Sequence, residues 1–166
     1  SVNGCHSDIA KILFSEYGNE FVCSAHKEWY HFEDHIWKPS AGGIDLRKRI
    51  SDDSGIIIKQ LTKNKNEIYK SIEELEENNA ERKALEAQIK KMNSLIRQCK
   101  TAPFKNHVMV ESQEVFYNSQ FYNMLNKNPY LVAFQNGVFD FENDIFRDGT
   151  PEDYISVAMS IEYKDY

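Results

Sequence analysis

Two acidic residues near the C-terminal end of the sequence, Asp140 and Glu142, have the spacing of a metal-binding pair. Residues two apart on a β-strand project from the same face, and carboxylates placed in this way hold divalent ions for phosphoryl transfer in polymerases and nucleases. The same stretch, VFDFENDIFRD, also contains Glu142-Asn143-Asp144, which has the composition of a polar turn and needs no metal. We favour the turn, and a metal-dependent phosphoryl-transfer enzyme is the alternative.

A second candidate for metal chemistry is a group of histidines and cysteines. Imidazole and thiolate are preferred ligands of zinc. The group consists of Cys5, His6, Cys23, His26, His31 and His35. No Cys-x-x-Cys pair is present, and His31 and His35 lie in a predicted strand and turn, where their spacing does not present both rings to one ion. We therefore expect ordinary hairpin and surface histidines and no metal site.

Catalytic loops are also missing from the sequence. It contains neither a phosphate-binding Gly-x4-Gly-Lys-Ser/Thr loop nor a Gly-x-Ser-x-Gly nucleophile elbow. The three cysteines, Cys5, Cys23 and Cys99, have no paired spacing and indicate reduced thiols rather than a disulfide framework. We therefore expect no catalysis by this segment alone and no cofactor in it.

The basic residues are unevenly distributed, although the formal net charge is −6. From Ala87 to Val110 there is no Asp or Glu, and a second basic group follows Gly42 and Gly43. The two groups are Lys90, Lys91, Arg97, Lys100 and Lys105, and Arg47, Lys48 and Arg49. Such groups predict weak, sequence-independent DNA binding that falls as salt rises. The alternative is a solvated helix face.

The elements that carry these residues are predicted from periodicity and turn residues. The run DIAKILFSEY has one apolar helical face, with Ser7 as N-cap and Gly18 as the residue that ends the helix. The aromatic runs EWYHF and HIWK, closed by Pro39 and two glycines, predict a small hairpin. We expect an α+β fold, mostly helical, with small antiparallel β-hairpins and a long helical hairpin.

Two apolar seams of coiled-coil type predict that helical hairpin, at about residues 63–100. The seams are Ile68, Ile72 and Leu75, and Leu85, Ile89, Met92, Ile96 and Cys99. Leu85 lies ten positions after Leu75, so the seams are out of register, and Asn78 with Glu81 has the capping-box pattern at the break. Two antiparallel helices are favoured, and one helix with a stutter is the alternative.

Length and hydropathy suggest a single intracellular domain. The chain has 166 residues, close to the length of about 150 residues that is usual for one domain. No run of 18 apolar residues and no signal-peptide pattern is present, so we expect neither a membrane span nor secretion. The sequence does not begin with Met, and we expect a fragment of a longer chain.

The stretch YLVAFQNGVFDFENDIFRDGTPEDYIS is the most specific part of the sequence. It resembles the end of the domain that precedes the superfamily 3 helicase module in poxvirus-type primase-helicases of nucleocytoplasmic large DNA viruses, and in related phage and plasmid primases. Upstream, EWYHFEDHIWK, LRKRIS and APFKNHVMVESQEVFY resemble the same family in the same order.

The resemblance implies a non-catalytic collar that links an N-terminal primase region to a C-terminal ring ATPase. The implied partners are DNA, the adjacent domains of the same chain and, in the full protein, further copies in a hexameric ring. ATP and Mg are implied for the parent helicase, and the viral replication site in the host cell is the implied location. A coiled-coil adaptor that binds only protein is a third reading.

Within this motif, the residues themselves predict a rigid joint. Asn136 and Gly137 are expected to supply a turn or bulge with positive φ. Gly149 follows in the Asp-Gly pair, and Thr150-Pro151-Glu152-Asp153 has the pattern of an N-cap with Pro at the first helical position. We expect the isolated segment to be mainly monomeric or weakly associated at micromolar concentration, because the two apolar seams of a folded-back hairpin pack against each other.

Overall fold

The structure, a computed structural model, describes residues 5–76 and 79–165. By proximity of Cα atoms the chain separates into a helical unit, Ser1–Glu16 with Leu46–Val115, and a mainly β unit, Tyr17–Asp45 with Phe116–Tyr166. The expected α+β class is confirmed, and the expectation of a single domain stays a prediction. In the described ranges no helix is both long and apolar enough to span a membrane.

The helical unit is built from five helices. They are α1 (His6–Tyr17), α2 (Ile44–Ser51), α3 (Ile56–Glu73), α4 (Ala80–Cys99) and α5 (Ala102–Val115), and the unit boundaries fall at Tyr17 in α1 and after Asp45 in α2. Helix α1 buries Ile9 and Leu13, as its spacing predicted. The expected cap at Ser7 is wrong: Ile9 N already bonds to Cys5 O at 3.2 Å, so the first turn closes earlier and Ser7 lies inside the helix.

Helices α3 and α4 form an antiparallel hairpin rather than one rod. Lys65 Nζ donates to Asn93 Oδ1 at 3.2 Å, and nearer the turn Arg82 Nη1 donates to Leu75 O at 3.0 Å. The predicted cap Asn78 lies outside the described residues. The residue that caps α4 is Asn79, whose Oδ1 accepts from Glu81 N at 2.8 Å.

The β unit contains a four-stranded sheet. Its strands are β1 (Phe21–Ser24), β2 (Trp29–Glu33), β3 (Ile36–Ser40) and β4 (Tyr117–Asn118). The order is β3-β2-β1-β4, with β1, β2 and β3 antiparallel and β4 parallel to β1. Trp37 and Val22 pack against Phe121, which begins the short helix α6 (Phe121–Met124). The expected EWYHF and HIWK hairpin is present as β2 and β3.

A three-stranded antiparallel sheet carries the motif singled out in the sequence. Its strands are β5 (Leu131–Phe134), β6 (Gly137–Asp140) and β7 (Ile145–Arg147), in that order. Val138, with no exposed surface, packs with Ala133 and Ile155 on one face. On the other face the rings of Phe139 and Phe141 lie 4.7 Å apart. A 3₁₀ turn, Pro151–Asp153, follows the sheet.

Candidate nucleic-acid interface and C-terminal joint

An ion pair fixes the turn after β7. Arg147 Nη1 donates to Asp153 Oδ2 at 2.8 Å and Nη2 donates to Oδ1 at 2.7 Å. Thr150 N also donates to Asp153 Oδ2, at 2.8 Å, and Pro151 begins the turn in the predicted capping arrangement. Burial acts to raise the pKa of Asp153, but the hydrogen bonds from Arg147 and Thr150 outweigh it, and the pKa lies below its ordinary value. The carboxylate therefore remains charged and holds the turn to the strand.

The chain after this turn is bound to both sheets of the β unit. Tyr154 takes a left-handed conformation with φ of 48°, and Ile155 O then accepts from Trp37 N at 2.7 Å. Asn126 exchanges two hydrogen bonds with Ser156, of 2.7 and 2.9 Å. Further on, Met159 N bonds to Ala133 O on β5 at 2.9 Å. Residues 154–159 thus connect the edge strand β3 to the edge strand β5.

The positive φ predicted for the Asn136-Gly137 pair is present at Gly137, but the turn lies one residue earlier than predicted. Phe134 pairs with Gly137, so the two-residue turn is Gln135-Asn136, and Gly137 begins β6 with φ of 157°. The predicted turn was one residue too late, because the strand pairing begins at the glycine. A Cβ on Gly137 would lie 2.7 Å from Arg147 O, which requires glycine here. Asn136 instead holds Tyr163 by two bonds, of 2.9 and 3.1 Å.

Gly149 is placed against the turn between β2 and β3. A Cβ on Gly149 would lie 2.6 Å from His35 O, so a larger residue does not fit without movement of the backbone. Gly149 N donates to His35 Nδ1 at 3.0 Å. His35 is therefore an acceptor that joins two distant parts of the β unit.

The carboxylates Asp140 and Glu142 do not share a strand face. Strand β6 ends at Asp140, and Glu142 lies in the following turn. Asp140 Oδ1 accepts from Glu142 N at 3.0 Å, and Oδ2 accepts from Asn143 Nδ2 at 2.9 Å. The bond from the Asn143 side chain, with those from the two backbone amides and the charge of Arg147, lowers the pKa of Asp140 although burial opposes this. Its geometry is that of a turn-forming carboxylate.

The histidines and cysteines considered as zinc ligands also lie in different surroundings. His31 stacks on Phe21 with ring centroids 4.3 Å apart, and His26 lies 5.6 Å from the ring of Tyr122. Cys5 is exposed and Cys23 is buried. Within residues 5–76 and 79–165, no group of three or more His, Cys, Asp or Glu side chains is arranged to hold a metal ion.

Arg47 and Lys100, two of the predicted basic residues, make defined side-chain contacts. Arg47 of α2 donates to Asn106 Oδ1 through Nη2 at 3.0 Å and Nε at 3.3 Å, which brings it to the first half of α5, the helix that also carries Lys105. Lys100 pairs with Asp53 at 2.6 Å. The remaining residues lie on α2 or on the exposed surface of α4: Lys48, Arg49, Lys90, Lys91 and Arg97.

A groove along α3 was missed by the sequence analysis. It has a volume of about 460 Å³ and is lined by Asp53, Lys59, Thr62, Lys63, Asn66, Glu67 and Lys70. The sequence did not single out its lysines, because the many acidic residues that follow them made the whole stretch look acidic. The signal was available: no Asp or Glu occurs from Ser54 to Asn66.

Comparison with known proteins points to viral helicases. Residues 10–166 match the family described as "D5 N terminal like". The "Putative helicase L207/L206" of Acanthamoeba polyphaga mimivirus is 31% identical over 160 residues, which are 95% of this chain and 16% of that protein. The "Putative helicase 121R" of Invertebrate iridescent virus 3 is 32% identical over 178 residues, 95% of this chain and 18% of that protein.

A third relative, also described as a helicase, comes from another virus. The "Putative helicase 022R" of Frog virus 3 (isolate Goorha) is 28% identical over 187 residues, 96% of this chain and 19% of that protein. The chain thus spans less than a fifth of the length of these relatives, and corresponds to one region of each.

Proposed function

This chain belongs to the D5 N terminal like family, and from this we propose that it is a non-catalytic collar of a viral primase-helicase. In this proposal the collar connects the adjacent primase and helicase domains of the same chain, supports assembly of the full protein into a hexameric ring and guides DNA. ATP and Mg are needed by the parent helicase and not by this region. The protein acts at the viral replication site in the host cell.

The proposal rests on one observation. The side chains of the most specific motif, residues 130–156, make contacts that hold the fold together. Arg147 and Asp153 close the turn at 2.7 and 2.8 Å, and Gly149 is packed against His35. Asp140, the best candidate for a catalytic carboxylate, accepts from the turn that follows it. A rigid joint between domains uses residues in this way, whereas a metal-dependent phosphoryl-transfer site needs carboxylates aimed at a shared ion.

Contact with an adjacent domain is supported by exposed apolar side chains beside the joint. Val157, Met159 and Ile161 are 70%, 50% and 60% exposed and alternate along the segment that follows the turn. Val157 and Met159, two apart before the bend at residues 160–161, face the same side of the chain, and exposed apolar surface is typical of an interaction site. We assign this row to the adjacent helicase domain.

The experiment that tests the collar is a mass measurement by light scattering. This segment alone is expected to be mainly monomeric or weakly associated at micromolar concentration, because Ile72, Ile89 and Cys99 of its seams are buried and the other seam residues are partly buried. The segment extended by the downstream helicase domain is expected to form a hexamer. A stable hexamer from the segment alone would place the assembly determinant here and contradict the proposal.

The requirement for divalent ions distinguishes a DNA-guiding role from a catalytic one. Binding of labelled DNA without Mg or nucleotide, weakening with salt, supports the collar. Turnover that depends on Mg²⁺ or Mn²⁺ and is lost in Asp140→Asn would instead support a phosphoryl-transfer enzyme.

A further inference from the structure

The helical hairpin has its charges separated along its length. The contact of Lys65 with Asn93 sets the register of the two antiparallel helices. The acid-free first part of α3 therefore lies alongside the acid-free second part of α4, although the two stretches are distant in sequence. The cations gathered at this base of the hairpin are Lys59, Lys63, Lys65, Lys90, Lys91, Arg97 and Lys100.

The opposite end of the hairpin is acidic. The carboxylates near the turn are Glu73, Glu74, Glu76, Glu81 and Glu86. Arg82, a cation of this end, is held by Glu86 at 3.2 Å and by Leu75 O at 3.0 Å. A polyanion is therefore attracted to the base and repelled by the tip.

A stripe of exposed donors runs along α3, from the base of the hairpin toward its tip. Lys59, Lys63 and Lys70 are exposed and separated by four and seven residues, which places them on one face of the helix. Between them lie Thr62 and Asn66, whose neutral side chains also donate hydrogen bonds. Lysines, hydroxyls and amides are the groups that contact phosphates in protein–DNA interfaces.

Two acidic residues also line this groove, and they reduce its charge without cancelling it. Asp53 is paired with Lys100 at 2.6 Å, so its charge is already balanced. Glu67 lies between Lys63 and Lys70 along the helix. The three lysines leave an excess of positive charge around it.

We propose that the groove along α3, which starts at the base of the hairpin, binds the phosphate backbone of DNA, with Lys59, Lys63 and Lys70 as the principal contacts. This inference rests on the proposed function and gives its DNA-guiding step a location. The stripe from Lys59 to Lys70 is about 16 Å long, a length over which a duplex presents about nine negative charges. Binding through phosphates is independent of base sequence and releases counterions.

The test removes the three charges together. The variant Lys59→Gln/Lys63→Gln/Lys70→Gln is titrated against fluorescein-labelled double-stranded and single-stranded DNA by anisotropy, without divalent ions, between 50 and 200 mM salt. We expect affinity to fall roughly 10-fold or more, and the slope of log K against log salt to become shallower by about 2 to 3 on duplex DNA. Glutamine keeps the helical propensity of lysine.

The matched control changes the net charge equally elsewhere. Lys83, Lys127 and Lys164 are exposed and lie outside the groove, and their triple replacement by Gln should leave the salt slope unchanged. A second variant, Lys90→Gln/Arg97→Gln, tests the α4 side of the base and should lose affinity on its own. Circular dichroism and the thermal midpoint verify that each variant is folded.

The outcomes distinguish this inference from the proposed function. If the parent binds DNA and both the α3 and α4 variants bind like the control, the location is wrong while DNA guiding stands. If the parent chain does not bind DNA, the guiding role and this inference both fail. Tighter binding of polyglutamate than of DNA, lost in the α3 variant, would assign the groove to an acidic protein and overturn the inference.

Discussion

Arg147 and Asp153 face each other through two parallel hydrogen bonds, of 2.7 and 2.8 Å. The side chain of Asp153 is 7% exposed and that of Arg147 is 31% exposed. Two-point pairs of this kind are stronger and more directional than single charged hydrogen bonds. Because the pair joins the last strand to the turn, it fixes the direction in which the chain continues.

Replacing Asp153 by Asn should lower the free energy of unfolding by about 1 to 3 kcal/mol, because it leaves donors of Arg147 and Thr150 without a charged acceptor. Urea unfolding at pH 7 measures this. Glu152→Gln is the control, since Glu152 is the neighbouring exposed carboxylate and should change stability by less than about 0.5 kcal/mol. Equal effects of the two replacements would show that the pair contributes nothing specific.

The pH dependence of stability should follow the same residues. The pKa of Asp153 and that of Asp140 lie below their ordinary values in the folded chain. The ionised carboxylates therefore stabilise the fold above about pH 4, the unfolded pKa, and this contribution is lost as pH falls through the lower folded pKa. The stability difference between the parent and Asp153→Asn should be largest near pH 7 and shrink below pH 4. A difference that stays constant down to pH 3 would contradict this.

Glycine replacements separate steric overlap from backbone strain. Gly149→Ala places a Cβ 2.6 Å from His35 O, and the resulting overlap should cost about 2 to 3 kcal/mol of stability. Gly42 has φ of 60° and open space around its Cβ position, so Gly42→Ala should cost only about 1 kcal/mol, from strain alone. Thermal unfolding of both variants shows which one loses more stability. A larger loss of stability for Gly42→Ala would be inconsistent with the close approach at Gly149.

The three cysteines should differ in reactivity. Burial raises the pKa of Cys99 to about 11 and also raises that of Cys23, whereas Cys5 is exposed. Since the thiolate is the reactive form, one thiol should react rapidly with a disulfide reagent at pH 8, and the other two only after unfolding. Cys5→Ser should remove the rapid phase, and rapid reaction of two thiols in the parent would disagree with the burial of Cys23 and Cys99.

Regular spacing made the helical hairpin predictable. The seams containing Ile72 and Ile89 each follow a 3-4 spacing, which determines both helix type and buried face without knowledge of the partner. The start of α1 was less accurately predicted, because Ser7 matches a capping pattern while the first turn closes on Cys5 O. Local composition does not decide between adjacent capping residues.

Contacts between distant residues could not be predicted in this way. Gly149 and His35 are 114 residues apart, and nothing in either local sequence indicates the other. The acid-free stretch of α3 is visible in the sequence, but its position beside the basic part of α4 depends on the antiparallel register of the two helices. A count of the charges in one stretch of sequence leaves out the charges that folding brings close to it from another stretch.

The last prediction concerns the hairpin seam. Ile72 and Ile89 are 8% and 5% exposed within a single chain, so these seam residues are buried without contact from a second copy. Ile89→Ala should lower stability by about 2 to 4 kcal/mol through the cavity it leaves, whereas Tyr69→Ala, at a residue that is 46% exposed, should have a much smaller effect. For a seam within one chain, the urea midpoints of parent and variant should be unchanged over a hundredfold range of protein concentration. A parent midpoint that rises with concentration would show that the seam instead pairs between chains, as a coiled-coil adaptor requires.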